Sequence, residues 1–324
     1  MIGRSVKTSK AIHRRTGKTF YIATRLLPER VREATYALYA FFRIADDVVD
    51  RPDPPDAETQ RRHLEAIRAA ANGEQIQRGV LSETDREVLE TFRSLAEEAD
   101  IDRAEIDVFI DAMAQDIDHS GYETYEELRG YMRGSAAAVG NMMLSVMDPP
   151  ESDRATPHAR SLAEAFQLTN FVRDVREDIS EYDRVYLPDE TLDRHDVTET
   201  QLRRGDMTDD VAAVIRTELH RTESLYRHGV AGIRYLPEDC QFAVLLAAVL
   251  YADHHRQIRH LEYDVLNGDA SLSMTRRLWL LTRTWYHWRR THDPEAAFYA
   301  ASAISEDGPA SDHPDPQLQP DRVI

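Results

Sequence analysis

Residues 36–50 read Tyr-Ala-Leu-Tyr-Ala-Phe-Phe-Arg-Ile-Ala-Asp-Asp-Val-Val-Asp, a segment whose polarity is the reverse of an ordinary surface helix. At about 100° per residue its polar side chains share one stripe, and everything else is apolar. A helix that is apolar around most of its circumference is buried. The segment therefore predicts a buried helix whose polar stripe faces an internal cavity and carries Tyr36, Tyr39, Arg43, Asp46, Asp47 and Asp50.

Residues 165–179 repeat this arrangement as Ala-Phe-Gln-Leu-Thr-Asn-Phe-Val-Arg-Asp-Val-Arg-Glu-Asp-Ile. In one continuous helix, a second polar stripe would span about 80° and carry Gln167, Asn170, Asp174 and Asp178. When two buried helices place carboxylates in one cavity, the like charges repel each other, and the loss of hydration on burial adds a larger free-energy cost. A divalent cation bound between the carboxylates would offset both the repulsion and the cost of burial. Carboxylate oxygens suit Mg²⁺, which completes its shell with water and substrate phosphate.

The spacing of these aspartates is weak evidence by itself, because the chain is acidic and the same spacing recurs at 107/111, 189/193 and 206/210. These three pairs lie in ordinary polar surroundings: the wet face of an amphipathic helix, a helix start where Asp is a favoured cap, and a polar stretch that contains Gly. Only the pairs 46/50 and 174/178 stand in otherwise apolar helices. We therefore place the chemistry at these two pairs.

Charge and composition exclude several other classes of protein. The 324 residues include 58 Asp and Glu against 40 Lys and Arg, a net charge of −18, which repels nucleic acid. Only three of the basic residues are Lys, at positions 7, 10 and 18. Acid excess with little Lys predicts a protein adapted to a high-salt cytoplasm, where screening weakens self-repulsion, although a GC-rich genome would also replace Lys by Arg.

Cysteine and hydropathy favour a cytoplasmic location. The single Cys240 excludes an internal disulfide and cysteine-based metal sites. The first ten residues lack the apolar stretch of a secretory signal. The longest apolar run, Phe242 to Ala252, has 11 residues, whereas a membrane-spanning helix needs roughly 20.

Apolar residues recur at spacings of three and four through most of the chain, which predicts an all-α fold with one core. Loops are expected at the Pro-rich residues 51–56 and 148–153.

No nucleophile elbow, phosphate-binding Gly-rich loop or dinucleotide fingerprint occurs. We interpret His254 and His255 as packing or edge residues. The three tryptophans at 279, 285 and 288 are expected to fill the core beside a terminal helix.

Several motifs together resemble the squalene/phytoene synthase family. Residues 36–50 are similar to its first aspartate-rich motif and residues 167–178 to its second. Further similarity covers Phe20-Tyr21 leading to Leu26-Leu27-Pro28, residues 131–140, and Arg-Val-Tyr-Leu-Pro at 184–188, so that it extends from about residue 9 to about residue 290. The resemblance implies a single-domain class I isoprenoid-synthase helical fold whose central cavity is roofed by the two aspartate motifs. We expect a flexible N-terminus at 1–8, a catalytic domain at 9–304 and a disordered acidic, Pro-rich tail at 305–324.

The implied reaction joins two prenyl diphosphates head to head. By resemblance, Mg²⁺, or Mn²⁺ in its place, would be held by Asp46, Asp47, Asp50, Asp174, Glu177 and Asp178. The residues expected to carry catalysis are Asp46, Asp50, Asp174, Asp178, Arg43 and Tyr186. Arg43, Arg173 and Arg184 would neutralise phosphate charge, Tyr186 and Tyr251 would add hydrogen bonds, and Gln167 and Asn170 would orient water or phosphate. Aromatic faces that stabilise a carbocation are expected at Phe20, Tyr39 and Phe166, which also read as plain core, and Tyr131 opens the stretch that lines the tail pocket.

Departures from the family pattern leave the chain length of the substrate open. Phe42 stands where many members have Cys, and Met132 and Ala137 stand where Cys and Gly are common. We favour two geranylgeranyl diphosphates, which give phytoene through prephytoene diphosphate, because the overall similarity is to haloarchaeal members. NADPH is not expected.

The alternatives are a C30 synthase acting on two farnesyl diphosphates to give dehydrosqualene or squalene, a non-catalytic scaffold on the same fold, and a single-substrate terpene cyclase. Long lipid substrates imply peripheral contact with a membrane and with enzymes of carotenoid biosynthesis. The net charge argues against attraction to anionic headgroups, so an apolar rim or a partner enzyme is expected to handle the lipid. The sequence leaves the oligomeric state open.

Overall fold

A computed structural model describes residues 18–51, 54–76 and 79–308, with side chains from residue 21 onward. It confirms the all-α prediction, because the described residues form helices and loops and contain no strand. The predicted flexible N-terminus at 1–8 and residues 309–324 of the predicted tail lie outside the described residues. In chain order the helices are α1 (Lys18–Thr24), α2 (Glu29–Val49), α3 (Ala57–Ala71), α4 (Glu83–Glu98), α5 (Arg103–Gln115), α6 (Tyr125–Met132), α7 (Ala138–Met147), α8 (Ser152–Arg173), α9 (Val175–Tyr182), α10 (Asp189–Arg194), α11 (Glu199–Arg204), α12 (Asp209–Ala231), α13 (Glu238–His260), α14 (Met274–Thr291) and α15 (Pro294–Ala301).

Helix α2 is buried, as its inverted polarity predicts. It begins after Pro28, whose fixed φ suits the helix start, and Glu29 in the first turn complements the positive end of the helix dipole. Leu38 and Phe41 are completely buried, and Phe41 stacks on Phe92 of α4 with ring centroids 4.0 Å apart. The apolar faces of α2 thus pack into the core, and Asp46 and Asp50 of its polar stripe line the cavity described below.

The second motif is not one continuous helix, because the chain departs from helical geometry at Asp174. This residue has φ −101° and ψ 15°, away from ordinary helical values, and it separates α8 from α9. The helical hydrogen-bond pattern survives the break: the Asp174 N–H donates to the Asn170 carbonyl at 2.8 Å, and the Asp178 N–H donates to the Asp174 carbonyl at 2.9 Å. The departure at Asp174 therefore divides the helix without interrupting the hydrogen bonds that link the two motif aspartates.

A π-helical turn at Arg133–Ala137 joins α6 to α7 and packs against α5 and α8. Such turns are rare and frequently mark functional sites. Gly134 within it lies against α5, where a Cβ atom would overlap the carbonyl oxygen of Val108. Only glycine allows this approach, which brings Tyr131 and Ser135 close to the helices that carry the aspartate motifs.

Two apolar clusters hold the helices together. The larger includes Phe41, Phe109 and Leu246 from α2, α5 and α13. The smaller packs Val214 of α12 and Ile258 of α13 against the segment that runs from the end of α8 to α11. The second cluster fixes the loop at residues 183–188, which delivers side chains back to the aspartate motifs.

Helix α14 contradicts the expectation that the tryptophans fill the core. Trp279 is 42% exposed and Trp285 is 54% exposed, and only Trp288 is partly buried, beside Phe242. The inward side of α14 is narrow, with Leu280 and Thr284 as its buried residues, so most of its large side chains point to solvent. Among the described residues, no helix combines the length and apolar character that crossing a bilayer requires.

Candidate active site

A cavity of about 250 Å³ lies where α2, α5, the π-helical turn, α8 and α9 meet. The structure brings most of the residues predicted from the two motifs into its wall. These predicted lining residues are Asp46, Asp50, Tyr131, Gln167, Asn170, Asp174, Asp178, Arg184 and Tyr186.

Burial raises the pKa values of three cavity carboxylates, Asp46, Asp50 and Asp178. Burial, with a further contribution from Asp50, raises the pKa of Asp46 to about 8. Burial and the nearby Asp174 raise the pKa of Asp178 to about 8. The pKa of Asp50 is also raised by burial, although Arg184 opposes the shift. The cavity therefore contains more acid than its own cations neutralise, and it favours an added positive charge.

Arg184 is a buried cation that contacts Asp50 of the first motif through its side chain and the Asp178 carbonyl of the second through its backbone N–H. It donates to Asp50 Oδ1 at 3.0 Å and to the main-chain carbonyl of Asp116 at 3.0 Å. The Tyr131 hydroxyl donates to Asp116 Oδ2 at 2.8 Å, so this carboxylate lies between Tyr131 and Arg184. Burial raises the pKa of Asp116 to about 6, whereas Arg184 and Tyr131 oppose the shift. Sequence reasoning missed Asp116, because it follows an amphipathic helix and belongs to no aspartate pair.

Arg173 closes the other side of the second motif. Its guanidinium forms a paired contact with the carboxylate of Asp174, and its Nη1 approaches His254 Nε2 at 3.5 Å. His254 Nδ1 lies 2.9 Å from the carbonyl oxygen of Ala270, which can only accept, so Nδ1 carries the proton and Nε2 accepts from Arg173. Burial, together with Arg173, lowers the pKa of His254 to about 3. His254 is thus neutral and positions Arg173, a role beyond the predicted packing.

Arg277 of α14 is a second cation near Arg173 that sequence reasoning missed. Burial and the charge of Arg173 lower its pKa. Its Nε atom is buried and has no hydrogen-bond partner within the described part of the chain. A guanidinium beside another guanidinium, with this atom unpaired, suits an anionic group at the edge of the site.

Several predicted residues lie at the edge of the cavity or outside it. Arg43 and Asp47 form an ion pair at 2.7 Å, and Asp47 is 52% exposed, so neither side chain lines the cavity wall. Glu177 is exposed, and its pKa is raised by partial burial and by Asp174. Tyr39 is half-buried on α2. Phe20 lies in α1, and its side chain is outside the described part of the structure.

Aromatic rings form one wall of the cavity. Phe171 stacks on Tyr186 with ring centroids 3.9 Å apart and an interplanar angle of 10°, and Tyr131 stacks on Tyr186 at 5.9 Å. On the other side of α8, Phe166 stacks on Tyr251 at 4.6 Å. Ring faces attract positive charge, so this wall can stabilise a cationic intermediate. Phe171 is a member that the sequence analysis did not name.

An apolar pocket of about 130 Å³ adjoins the acidic cavity, and Val139 lines both. Its wall consists mostly of small or apolar side chains from α7, α8, α12 and α13. Phe166 lines this pocket, whereas Tyr131 lines the acidic cavity. A space lined by charged groups and a space lined by apolar groups therefore lie next to each other. The small lining residues are Ala23, Gly140, Ala155, Ala159, Ala163, Gly229, Gly232, Ala243 and Ala247.

The donor set fits divalent cations that share their coordination with a substrate. Within the described residues, no group of three or more Asp, Glu, His or Cys side chains encloses a single point where an ion would sit. The aspartates instead line α2 and the α8–α9 junction in pairs. Mg²⁺ commonly takes one or two carboxylates and completes its octahedron with water and phosphate, which is the arrangement that these pairs allow.

Two further polar groups face this region. The Ser135 hydroxyl, in the cavity wall, and the Tyr122 hydroxyl are buried and have no hydrogen-bond partner in the described part of the chain. Tyr122 lies beside Tyr131 and Tyr186. Neither residue has a sequence signal of its own. Ser135 reaches the cavity through the π-helical turn, and Tyr122 reaches this region by packing against Tyr131 and Tyr186. Unpaired buried hydroxyls can bind water or substrate oxygen.

Comparison with known proteins gives consistent results for sequence and fold. A sequence model of the family "Squalene/phytoene synthase" matches residues 13–276. Phytoene synthase of Rhodobacter capsulatus is 30% identical over 274 residues, which cover 83% of this chain and 78% of that protein. Phytoene synthase of Cereibacter sphaeroides is 33% identical over 274 residues, which cover 82% of this chain and 76% of that protein.

Solved structures have the same arrangement of helices. A dehydrosqualene synthase in complex with a ligand aligns with a TM-score of 0.77 at 25% identity, over 89% of this chain and 98% of that one. A squalene synthase from Alicyclobacillus acidocaldarius aligns with a TM-score of 0.68 at 21% identity, over 81% of this chain and 95% of that one, which supports the fold.

Proposed function

Because the chain belongs to the squalene/phytoene synthase family, we propose that it is a prenyltransferase that condenses two geranylgeranyl diphosphates head to head, through prephytoene diphosphate, to phytoene. The observation that carries this proposal is the meeting of two spaces at Val139, an acidic cavity and an apolar pocket. A prenyl diphosphate has the matching polarity, with an anionic head and a long apolar tail. Relatives named phytoene synthase support the C40 product.

The aspartate pairs hold the metal in this proposal. Asp46 and Asp50 on one wall, and Asp174 and Asp178 on the other, would bind Mg²⁺ or Mn²⁺, with Asp47 and Glu177 at the outer edge. The bound metal supplies Lewis-acid assistance to the departing diphosphate. The raised pKa values of Asp46 and Asp178 support this proposal, because a cation would return both carboxylates to their ionised form.

The remaining residues bind the head groups and protect the cations. Arg173, held by His254, neutralises diphosphate charge at the second motif, and Arg184 holds Asp50 in place. When the diphosphate leaves the first substrate, an allylic cation forms, and the double bond of the second substrate attacks it to give a cyclopropylcarbinyl diphosphate. Loss of the second diphosphate, rearrangement and loss of a proton give the product. The aromatic wall of Tyr131, Phe171 and Tyr186 stabilises these cations, and the closely packed rings exclude water.

A second candidate is the same chemistry on two farnesyl diphosphates. It is favoured by one observation, the alignment with a structure named as a dehydrosqualene synthase. The test is incubation of the protein with each diphosphate and Mg²⁺, with and without NADPH, followed by identification of the hydrocarbon. We expect a C40 product that does not require NADPH. A C30 product as the main outcome would support the second candidate, and a hydrocarbon from a single substrate would indicate a terpene cyclase.

Matched variants connect the product to the aspartate pairs. D46N and D174N are expected to lose turnover, whereas D107N, the same change on an exposed position of α5, keeps it. If both motif variants kept turnover, the metal proposal would be wrong. If the protein were a non-catalytic scaffold, neither the wild type nor any of these variants would form product.

The surroundings of the enzyme follow from charge and product. The net charge of −18 with only three Lys supports a cytoplasm of high salt, and stability that does not depend on molar salt would contradict it. A long hydrocarbon product is insoluble in water, which favours peripheral contact with a membrane and transfer to enzymes of carotenoid biosynthesis.

A further inference from the structure

Helix α14 presents an exposed face that has no counterpart among the other described helices. Its most exposed large side chains are Met274, Leu278, Trp279, Trp285 and Tyr286, with exposed fractions between 42% and 59%. Leu26, on the loop between α1 and α2, is the one other large hydrophobic residue exposed to this degree in the described chain. At about 100° per residue, these five side chains lie within about 140° on one side of α14. Exposed apolar groups concentrated in this way mark an interaction surface.

The charge of α14 is opposite to that of the protein. Its sequence, Met-Thr-Arg-Arg-Leu-Trp-Leu-Leu-Thr-Arg-Thr-Trp-Tyr-His-Trp-Arg-Arg-Thr, has five Arg and no Asp or Glu, in a chain whose net charge is −18. Arg276 is neutralised by Asp253 at 2.6 Å. Arg289 and Arg290 are exposed and form no ion pair with a carboxylate in the described residues; they lie beside the rings of Trp285 and Tyr286. Basic charge and exposed rings therefore coincide on one face.

We propose that this face of α14 binds the surface of an anionic lipid bilayer. The inference rests on the proposed membrane contact and assigns it to one helix. Trp and Tyr favour the headgroup region, where the ring is in apolar surroundings and the polar edge is wet. Arg extends its charged end toward phosphate while its stem covers apolar surface. An amphipathic helix with Leu and Trp on its exposed face and Arg beside them lies in the plane of such an interface.

The geometry favours a bilayer over a folded protein partner. The exposed side chains project from a convex helix, and the cavities of this protein, described above, lie elsewhere. A protein partner is fixed by anchors that fill pockets, whereas a lipid surface accepts protruding rings without one. The proposal differs from the expectation drawn from the net charge, because the charge of α14 is opposite to that of the whole chain. Although the whole chain repels anions, the basic face of α14 attracts them at the short distances that remain unscreened in salt.

The test measures binding of the full-length protein to vesicles without substrate. Vesicles of phosphatidylcholine with phosphatidylglycerol are compared with vesicles of phosphatidylcholine alone. One variant, R289Q/R290Q, removes exposed charge, and a second, L278S/W285S, removes exposed apolar groups. R61Q/R62Q is the matched control, because it removes two exposed arginines from α3. Each arginine near an anionic surface contributes about 1 kcal/mol, so R289Q/R290Q is expected to weaken binding about 30-fold at low salt.

The L278S/W285S variant is expected to weaken binding to the anionic vesicles at low and at high salt, because the apolar contribution is not screened. The control should bind like the wild type. Equal binding of the control and both α14 variants would overturn the proposal, and so would equal binding to the two kinds of vesicle. Light scattering that showed a dimer, dissociated by L278S/W285S, would assign the face to a second copy of the chain and also overturn it.

An activity assay distinguishes failure of the proposed membrane surface from failure of the proposed reaction. With substrate dispersed in detergent, both α14 variants should form product at the wild-type rate, since neither alters a residue of the cavity. Vesicle binding without product formation would contradict the proposed function and leave the membrane surface intact. Product formation without vesicle binding would contradict the membrane surface and leave the proposed function intact.

Discussion

Replacing Asp46 by Asn should stabilise the metal-free protein while it abolishes turnover. The Asp46 side chain lies in the acidic cavity, where burial and Asp50 raise its pKa from 3.8 to about 8. Because the folded-state pKa lies above the unfolded one, the folded protein holds a proton that the unfolded chain releases. The free energy of unfolding therefore falls as the pH rises from the lower value to the higher. Asn carries no proton to lose, so the variant escapes this loss.

The size of the effect follows from the shift. One pKa unit corresponds to about 1.4 kcal/mol, so between about pH 6 and about pH 8.5 the wild type should lose about 3 kcal/mol relative to D46N. The measurement is chemical unfolding with a chelator at both pH values, followed by circular dichroism. D107N is the control, because Asp107 lies on an exposed face of α5 and its replacement should leave the difference from wild type independent of pH.

Metal provides the second half of this test. Mg²⁺ should raise the unfolding midpoint of the wild type more than that of D46N, because the ion replaces the proton on the ionised carboxylate. The reasoning would be refuted if D46N were less stable than the wild type at the higher pH without metal. It would also be refuted if the difference between them did not change with pH.

Three further variants probe the apolar pocket, the arginine clamp and the buried carboxylate. A159L fills part of the apolar pocket and should shift the product from C40 toward C30 when both diphosphates are supplied, as measured by chromatography. H254L removes the acceptor that positions Arg173 and should raise KM about fivefold with little change in kcat, a loss of about 1 kcal/mol in steady-state kinetics. Y131F removes a hydrogen bond that lowers the pKa of Asp116, so the acid limb of the pH–rate profile should move to higher pH. An unchanged product ratio, KM or acid limb would contradict the respective assignment.

Helical periodicity and inverted polarity were sufficient to predict the fold class and the centre of the site. Asp46, Asp50, Asp174 and Asp178 could be placed in one cavity because each stands in an apolar helix, where a lone charge needs a reason. The same reasoning could not locate the break at Asp174, since a one-residue departure leaves the apolar period unchanged. Across this break, α9 still presents Asp178 to the cavity.

Residues that reach the site from distant elements have no such signal. Asp116 follows a helix with an ordinary wet face, and its position beside Arg184 depends on the packing of α5 against the loop at residues 183–188. His254 and Arg277 come from α13 and α14, and their relation to Arg173 appears only once these helices pack together. The prediction for the tryptophans of α14 was wrong for a different reason. Large aromatic residues usually fill cores, and periodicity cannot tell which face of a terminal helix is covered by other helices.

The position of α14 connects the two charge patterns of the molecule. Arg277 is close enough to Arg173 for the charge of Arg173 to lower its pKa, while the next residue, Leu278, is 55% exposed on the outer face. The diameter of a helix is about 10–12 Å, so the surface proposed to meet the bilayer and the cations beside the second motif are about one helix apart. A substrate whose tail lies in the membrane would then need to move its diphosphate only a short distance to reach Arg277 and Arg173. In this arrangement the acidic excess elsewhere on the protein orients it, because an anionic bilayer attracts the basic face of α14 and repels acidic surface.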